Sequence, residues 1–297
     1  MVVVSLFDGM SCGQIALNKI GKKPTKYFAS EIKKHAIQVT QHNYPDTIQI
    51  GDITKVSFKG GVLYTSNGNF EVGRVDLLIG GSPCQDFSAQ NKQRKGLAGL
   101  KSNLFFEYLR LLHEINPTYH LLENVIMLPK HFATLSNYMQ SYPFETCGSL
   151  VSAAYRRRLF WTNIGDYYLD LFGFSHCDLP QPKDKGIQLQ EILTDGYTDL
   201  SKAYCLKVSN GGSINGNYEH DFNLVVKRYY KAFDNFVFNS NDFNVKKGVR
   251  FFNQTELERL HNIPEGYTSI LNVKKAHDLI GDGWTVDIAA HIFSFIK

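Results

Sequence analysis

Through residue 165 the chain alternates short apolar runs with stretches of helical period, and this alternation limits the possible folds more than any other feature. The runs are residues 2–7 (VVVSLF), 27–30 (YFAS), 48–50 (IQI), 75–79 (VDLLI) and 119–122 (YHLL). Runs this short, closed by Gly, Asp or Glu, read as strands buried on both faces. Between them, residues 13–20, 33–43 and 103–115 carry apolar side chains at helical spacing, with Leu104, Phe105, Tyr108, Leu111 and Leu112 on one face of the last. Strand–turn–helix units in series predict an α/β fold with a mostly parallel sheet covered by helices.

Two stretches interrupt the series. Residues 55–73 hold Asn67-Gly68 between apolar residues 62–64 and 70–72, which predicts a small surface hairpin. Residues 85–102 are polar, basic and glycine-containing, and loops of that length are usually functional or disordered. A helix over 130–140 and strands around 147–152 and 159–164 are expected to complete the first region. Residues 166–248 are rich in Asn, Asp, Tyr, Phe and Gly with little periodicity, and helical pattern returns at 255–260 and 287–296. The expected division is a domain of residues 1–165 and 270–297 and a smaller, irregular one of residues 166–269.

No run approaches the roughly 18 apolar residues of a membrane span. Residues 1–7 read as a first strand, without the charged start and cleavage site of a signal peptide, so a cytoplasmic setting is expected. Five widely spaced cysteines with no C-x-x-C pair argue against a disulfide framework or a zinc site, and the ten histidines lack metal-ligand spacing. We expect no metal. A net charge of +4 permits nucleic-acid binding without demanding it.

The run at 75–79 leads into Gly80-Gly81-Ser82-Pro83-Cys84-Gln85. Two glycines allow a sharp turn close to a ligand, and Pro83 restricts the backbone just before Cys84. A thiol on a stiff turn at the carboxyl end of a parallel strand sits where open α/β sheets bind ligands. A lone cysteine is more often an inert buried thiol. Here the polar Gln85-Asp86 that follow suggest exposure, and reactivity requires a thiolate. The run at 119–122 ends in Glu123-Asn124-Val125, so a carboxylate can face the same substrate as the thiol. Taken alone, Glu123 reads equally as a surface carboxylate and Asn124 as a turn residue. Tyr155-Arg156-Arg157-Arg158 runs into apolar Leu159-Phe160-Trp161, so at least two arginines should turn inward or toward a cleft. Phe7-Asp8-Gly9-Met10-Ser11-Cys12-Gly13 joins the first strand to its helix, where free backbone N–H groups can hold an anionic ligand. Glu31, about twenty residues on, can take the hydroxyls of a ribose, and Asp52 can contact an adenine. These describe a nucleoside-containing cofactor. With no complete G-x-G-x-x-G, an ordinary βα turn fits the same residues.

In this order and spacing the motifs resemble those of the DNA (cytosine-5)-methyltransferases, most closely the catalytic domain of the animal de novo enzymes. The resemblance runs almost the length of the chain. Phe7-Asp8-Gly9, Glu31 and Asp52 resemble the first three cofactor motifs, Gly81-Ser82-Pro83-Cys84 the nucleophile motif, and Glu123-Asn124-Val125 the acid motif. Arg94-Lys95-Gly96-Leu97 and Leu104-Phe105-Phe106-Glu107 are similar to the loop and helix of the de novo group. Ser152-Ala153-Ala154-Tyr155-Arg156-Arg157-Arg158 resembles its arginine motif, and Gly281-Asp282-Gly283-Trp284-Thr285-Val286 its last motif. Three motifs depart from the wider family: Ser11-Cys12 replaces two glycines, Ala154 a glutamine and Asp282 an asparagine.

The resemblance implies a Rossmann-like S-adenosylmethionine-dependent methyltransferase sheet with a smaller target-recognition domain. It implies covalent catalysis on a cytosine flipped out of double-stranded DNA. The Cys84 thiolate would attack C6, Glu123 would bond N3 and the exocyclic amine, and Arg158, with Arg156, would bind O2. Asn124 belongs to the same catalytic motif. S-adenosyl-L-methionine would be held by Phe7, Asp8, Gly9, Ser11, Glu31, Ile32, Asp52, Ile53, Pro83, Leu104, Asp282, Gly283 and Trp284. Ser88, Arg94 and Lys95, and Lys207, Ser209 and Asn210 of a recognition loop, would contact DNA. The de novo likeness also raises self-association, through Tyr229-Tyr230 and residues 233–238, which read equally as core. A chain of this size fits a bacterial or phage modification enzyme, solitary or paired with a cognate restriction nuclease. Rival readings are an RNA (tRNA) cytosine-5 methyltransferase, a catalytically silent DNA-binding homologue, and a nicotinamide-dependent dehydrogenase, which the Pro-Cys motif disfavours.

Overall fold

The structure is a computed structural model that describes residues 1–83, 103–196, 198, 200–206, 224–226 and 249–297. The chain begins β1 (Val2–Leu6), α1 (Cys12–Lys19), β2 (Lys26–Ser30), α2 (Lys34–Asn43), β3 (Ile48–Gln49) and a helical turn (Ile53–Lys55). A meander of β4 (Ser57–Lys59), β5 (Val62–Thr65) and β6 (Gly68–Glu71) follows. Next come β7 (Leu77–Gly81), α3 (Asn103–Ile115), β8 (Tyr119–Val125), α4 (Pro129–Met139), β9 (Ser141–Tyr142), β10 (Phe144–Cys147) and β11 (Arg157–Thr162). The remainder comprises β12 (Tyr167–Leu169), β13 (Ser175–Cys177), α5 (Leu189–Ile192), β14 (Leu224–Val226), β15 (Val249–Phe251), α6 (Gln254–Leu260), α7 (Val273–Asp282) and α8 (Val286–Ser294). No helix among the described residues is long and apolar enough to cross a membrane.

Contacts divide the chain into two compact units. The first holds Met1–Cys147, Arg157–Pro182 and Ile288–Lys297, and the second Gly148–Arg156 and Lys183–Asp287. The first contains a seven-stranded sheet of order β10-β11-β8-β7-β1-β2-β3. Pairings β1/β2, β1/β7, β2/β3 and β7/β8 are parallel, while β11 runs antiparallel to β8 and to β10. Strands β2 and β3 lie on one side of β1, β7 and β8 on the other. Successive crossovers therefore diverge at the β1/β7 boundary and leave a crevice beyond the carboxyl ends of those strands. The register aligns Leu6 with both Ser30 and Gly80, and Gly81 with Glu123, so the residues after β1, β2 and β7 and the end of β8 share one edge.

Burial explains why these strands form. Val3, Val4, Leu6, Leu77, Leu78 and Ile79 are fully covered. Each such side chain contributes about 1.5–3 kcal/mol when removed from water. Helix α3 closes one face with Phe105, Tyr108 and Leu111, as its spacing predicts. The second unit contains α5, α6 and α7. Helix α6 opens with a capping box in which Asn253 and Glu256 satisfy each other's backbone N–H groups.

Several expectations need correction. Gly80 and Gly81 are the last two residues of β7, and neither has a positive φ, so they make no sharp turn. Gly80 is small for packing: a Cβ there would lie 3.0 Å from the Tyr108 ring and 3.1 Å from the Leu6 carbonyl oxygen. Glu123, Asn124 and Val125 do not follow their strand but belong to it, because antiparallel β11 extends the pairing. The strand expected at 147–152 lies earlier, at Phe144–Cys147, and Gly148–Leu150 is a helical turn. The hairpin gains a third strand, β4. Helix α7 was not anticipated: Lys274, Lys275, His277 and Asp278 hide its buried Ala276, Leu279 and Ile280, although Asn272 caps it.

The Gly80 environment predicts that Gly80→Ala destabilises by about 1–3 kcal/mol, because a backbone oxygen cannot yield. The Tyr108 hydroxyl is buried without a hydrogen-bond partner among the described residues, so Tyr108→Phe should stabilise by about 1 kcal/mol. Urea-unfolding midpoints of the two variants should therefore move in opposite directions.

Candidate active site

At the end of β1, residues Phe7, Gly9 and Ser11 take the left-handed conformation, with φ of 56°, 60° and 62°. Only glycine does so without steric cost, so Phe7 and Ser11 are held there by their surroundings. A Cβ added to Gly9 would meet nothing within 4 Å, so open space lies over this turn.

The hold is a set of carboxylate contacts. Asp8 Oδ2 accepts a hydrogen bond from Ser11 Oγ, and Oδ1 accepts one from Tyr27 Oη at 2.7 Å. The Asp8 N–H donates to the Ser30 carbonyl at 3.0 Å. Burial pushes the Asp8 carboxyl up from 3.8 to about 6, against the lowering effect of the Ser11, Ser5 and Tyr27 hydroxyls. Glu31 Oε2 accepts from the Gly9 N–H at 2.8 Å, while Oε1 accepts from the N–H groups of Ile32 and Lys33 at 2.7 and 2.8 Å. One carboxylate thus ties the end of β2 to the turn after β1. Beside it the Ile32 side chain is 72% exposed, an apolar surface next to an acid. Asp52 caps the following helical turn, its Oδ1 accepting from Thr54 N–H at 3.0 Å and Thr54 Oγ1 at 2.9 Å.

Not every expected cofactor residue offers a side chain. Ile53 is buried in the core, and the Ser11 side chain is buried, its Oγ on Asp8 and 3.2 Å from Thr40 Oγ1. Phe7 and Leu104 pack half-buried against the core. Tyr27 was missed; its signal was a phenol beside Phe28 and Ala29 in a buried strand.

At the end of β7, Asn124 Nδ2 donates to Ser82 Oγ at 3.0 Å and to the Ser82 carbonyl at 3.4 Å. Asn124 is 1% exposed and Ser82 4%, so this clasp is dry, and it fastens the chain two residues before position 84. Asn124 is not a turn residue. Glu123 and Arg158 sit on facing strands, two positions apart in register, on one face of the sheet. Arg158 Nε donates to Glu123 Oε1 at 2.8 Å, with both side chains mostly buried. The neighbouring Arg157 points to the other face, exposed, and pairs with Glu145. Strand alternation therefore picks out one arginine of this pair for the site.

The second unit holds Arg156, 4% exposed. Its Nη2 donates to the carbonyls of Gly281 and Gly283 at 3.1 and 2.7 Å, and its Nη1 to Cys205 Sγ at 3.4 Å. These bonds fix the segment with Asp282, the exposed last residue of α7, ahead of Trp284. Cys84, Ser88, Arg94, Lys95, Lys207, Ser209, Asn210, Tyr229, Tyr230 and residues 233–238 lie outside the described residues. Pro83 is the last residue described before position 84.

A family model described as C-5 cytosine-specific DNA methylase matches residues 1–297. Type II methyltransferase M1.ScrFI of Lactococcus lactis subsp. cremoris is 26% identical over 310 residues, 96% of this chain and 75% of that protein. Orphan methyltransferase M.Rho11sI of Bacillus phage rho11s is 37% identical over 131 residues, 43% of this chain and 24% of that protein. Among solved structures, the Entamoeba histolytica methyltransferase EhMeth superposes with a TM-score of 0.72 at 13% identity, covering 99% of this chain and 97% of that one. At that identity the likeness speaks for the fold alone, a mixed α/β fold with a mainly parallel sheet.

Asp8 makes one pH prediction together with His120. Among the described residues the His120 Nε2 is buried without a hydrogen-bond partner, and desolvation pushes the ring down from 6.5 to about 4. Between about pH 4 and 6.5 the unfolded chain protonates His120 before the fold does, so stability rises with pH. Between about pH 3.8 and 6 the fold keeps the Asp8 proton longer than the unfolded chain, so stability falls with pH. The two contributions, each summing to about 3 kcal/mol across its window, oppose one another. Urea midpoints of Asp8→Asn should climb with pH across this range more steeply than wild type, and those of His120→Gln should drop.

Proposed function

The chain belongs to the C-5 cytosine-specific DNA methylases, and from that premise we propose that it methylates C5 of a cytosine flipped out of double-stranded DNA. The observation that carries this reading is the Glu123–Arg158 pair on β8 and β11, beside a Ser82-Pro83 segment clasped by Asn124. That arrangement lies at one edge of the sheet, with the Glu123 carboxylate oriented by Arg158 and Glu123 in register with Gly81, three residues before Cys84.

In this proposal the Cys84 thiolate adds to C6 of the cytosine, which makes C5 nucleophilic. Glu123 bonds N3 and the exocyclic amine, and Arg158 binds O2, so developing charge on the ring is met by groups already oriented. After C5 is methylated it loses its proton, and expulsion of Cys84 restores the double bond. We assign the O2 contact to Arg158 alone, because Nη2 of Arg156 is engaged by Gly281 and Gly283. Arg156 is then a positioning residue for the last motif. Asn124 likewise positions the approach to Cys84.

The first-unit residues fit S-adenosyl-L-methionine, which when bound supplies a methyl group already activated on a sulfonium. Gly9 leaves open space above its turn, Ile32 offers an apolar face for adenine, and Glu31 and Asp52 offer acceptors. Three of roughly four acceptor positions on Glu31 are filled by backbone N–H groups, which leaves one for a ribose hydroxyl rather than two. Phe7, Asp8, Ser11, Ile53, Pro83 and Leu104 shape this site by backbone or packing. The family resemblance further implies a cofactor role for Asp282, Gly283 and Trp284. Residues 1–165 and 270–297 are assigned to catalysis and 166–269 to target reading, with Ser88, Arg94, Lys95, Lys207, Ser209 and Asn210 proposed at the DNA. A modification role in a bacterial or phage-infected cell is proposed from the relatives' names, with or without a cognate nuclease.

Bisulfite sequencing of DNA from cells expressing the protein tests the reaction. Cytosines protected in one sequence context, and unprotected with Cys84→Ala, are expected. A folded protein that binds S-adenosylmethionine yet protects no DNA, while methylating transfer RNA, would sink the DNA assignment. Arg158→Lys keeps the charge but loses the planar fork, and should lower kcat by about 100-fold with little change in cofactor KM.

A further inference from the structure

The β4–β6 meander has no part in the reaction above, yet it is firmly anchored at its base. Arg110 of α3 donates to the Val56 carbonyl at 2.8 Å and pairs with Glu107 and Glu114. Glu114 in turn accepts the Phe58 N–H at 2.8 Å, and the Phe70 ring lies 5.8 Å from that of Phe28. The tip is equally determined. Thr65 Oγ1 donates to the Gly68 carbonyl at 2.7 Å and accepts from the Asn67 N–H at 3.1 Å.

From that tip, Asn67 Nδ2 donates to the Gln49 carbonyl at 3.0 Å, at the end of β3. Ser66 Oγ lies 2.9 Å, and Asn67 Oδ1 3.4 Å, from where a Cβ on Gly51 would stand. Gly51 has a φ of 76°, and its carbonyl accepts from Ser30 Oγ at 2.7 Å. Gly51 is therefore clamped between the residue before Glu31 and the tip of the meander. Asp52 comes next, with Oδ1 turned to Thr54.

We propose that the meander tip is part of the cofactor site, with Asn67 a positioning residue that sets the Gly51-Asp52 turn so that the Asp52 carboxylate meets the amino edge of adenine. This rests on the reading of Asp52 as a contact to S-adenosylmethionine. Asn67 touches no reacting atom and acts through Asp52, so its loss weakens cofactor binding and leaves the chemical step alone.

Calorimetric titration with S-adenosylmethionine, followed by steady-state kinetics, tests this. Asn67→Ala should raise the cofactor Kd and KM about 5-fold, the equivalent of one hydrogen bond, with kcat and the KM for DNA unchanged. Asn69→Ala, on exposed β6 of the same meander, should behave as wild type. In an Asp52→Ala background, Asn67→Ala should cost nothing more, because the group it positions is gone. An unchanged Kd for Asn67→Ala, additive losses in the double variant, or a loss confined to kcat and thermal stability would each overturn the proposal. A wild-type protein that fails to bind S-adenosylmethionine would overturn the cofactor reading and the proposal together. Normal wild-type binding with an indifferent Asn67→Ala would remove only the proposal.

Discussion

The reversal of strand order between β1 and β7 is the constraint on which the rest of the first unit depends. Strands β1, β2 and β7 bury nearly all of their side chains, so they need cover on both faces. Parallel neighbours demand crossovers, and here the chain runs from β1 outward through β2 and β3 and then returns to lay β7 and β8 on the other side of β1. No chain segment is obliged to fill the gap beyond the ends of β1 and β7. Every candidate group of the first unit described here lies on that edge: the turn after β1, Glu31, Asp52, Ser82 and Glu123.

A gap of this kind is useful only if its rim is rigid, and the rim is stiffened by polar contacts within an apolar frame. Glu31 spends most of its acceptor capacity on backbone N–H groups and so couples β2 to the turn after β1. Asn124 clasps Ser82, and Arg158 orients Glu123. Each buried polar group carries a desolvation cost that only a well-placed partner offsets. Asp8 shows the residual cost, since its hydroxyl partners do not fully compensate its burial and its carboxyl stays easy to protonate. Strain at Phe7 and Ser11 is stored in the same turn.

The three consecutive arginines separate into three roles by geometry. Arg157 faces outward to Glu145, Arg158 faces Glu123, and Arg156 braces the carbonyls around Asp282 in the second unit. The run, ahead of an apolar stretch, correctly implied that two of the three would turn inward. Which two, and toward what, depended on where β11 begins and which strand it pairs with.

The alternation of apolar runs and helical periods was enough to determine the α/β class and most strand and helix positions, because these follow from local spacing and residue type. Cys84, Glu123, Glu31 and Asp52 could be singled out as candidates for a related reason: the chemistry proposed for them is carried by residue identity. Tertiary structure alone decided that Gly80 serves packing rather than turning, since its neighbours are Tyr108 and a carbonyl of another strand. It alone made Asn124 a clasp, split the arginines, and brought the meander tip onto Gly51. These depend on contacts between residues far apart in the chain. Spacing along one strand says which face a side chain takes, but not what stands opposite it.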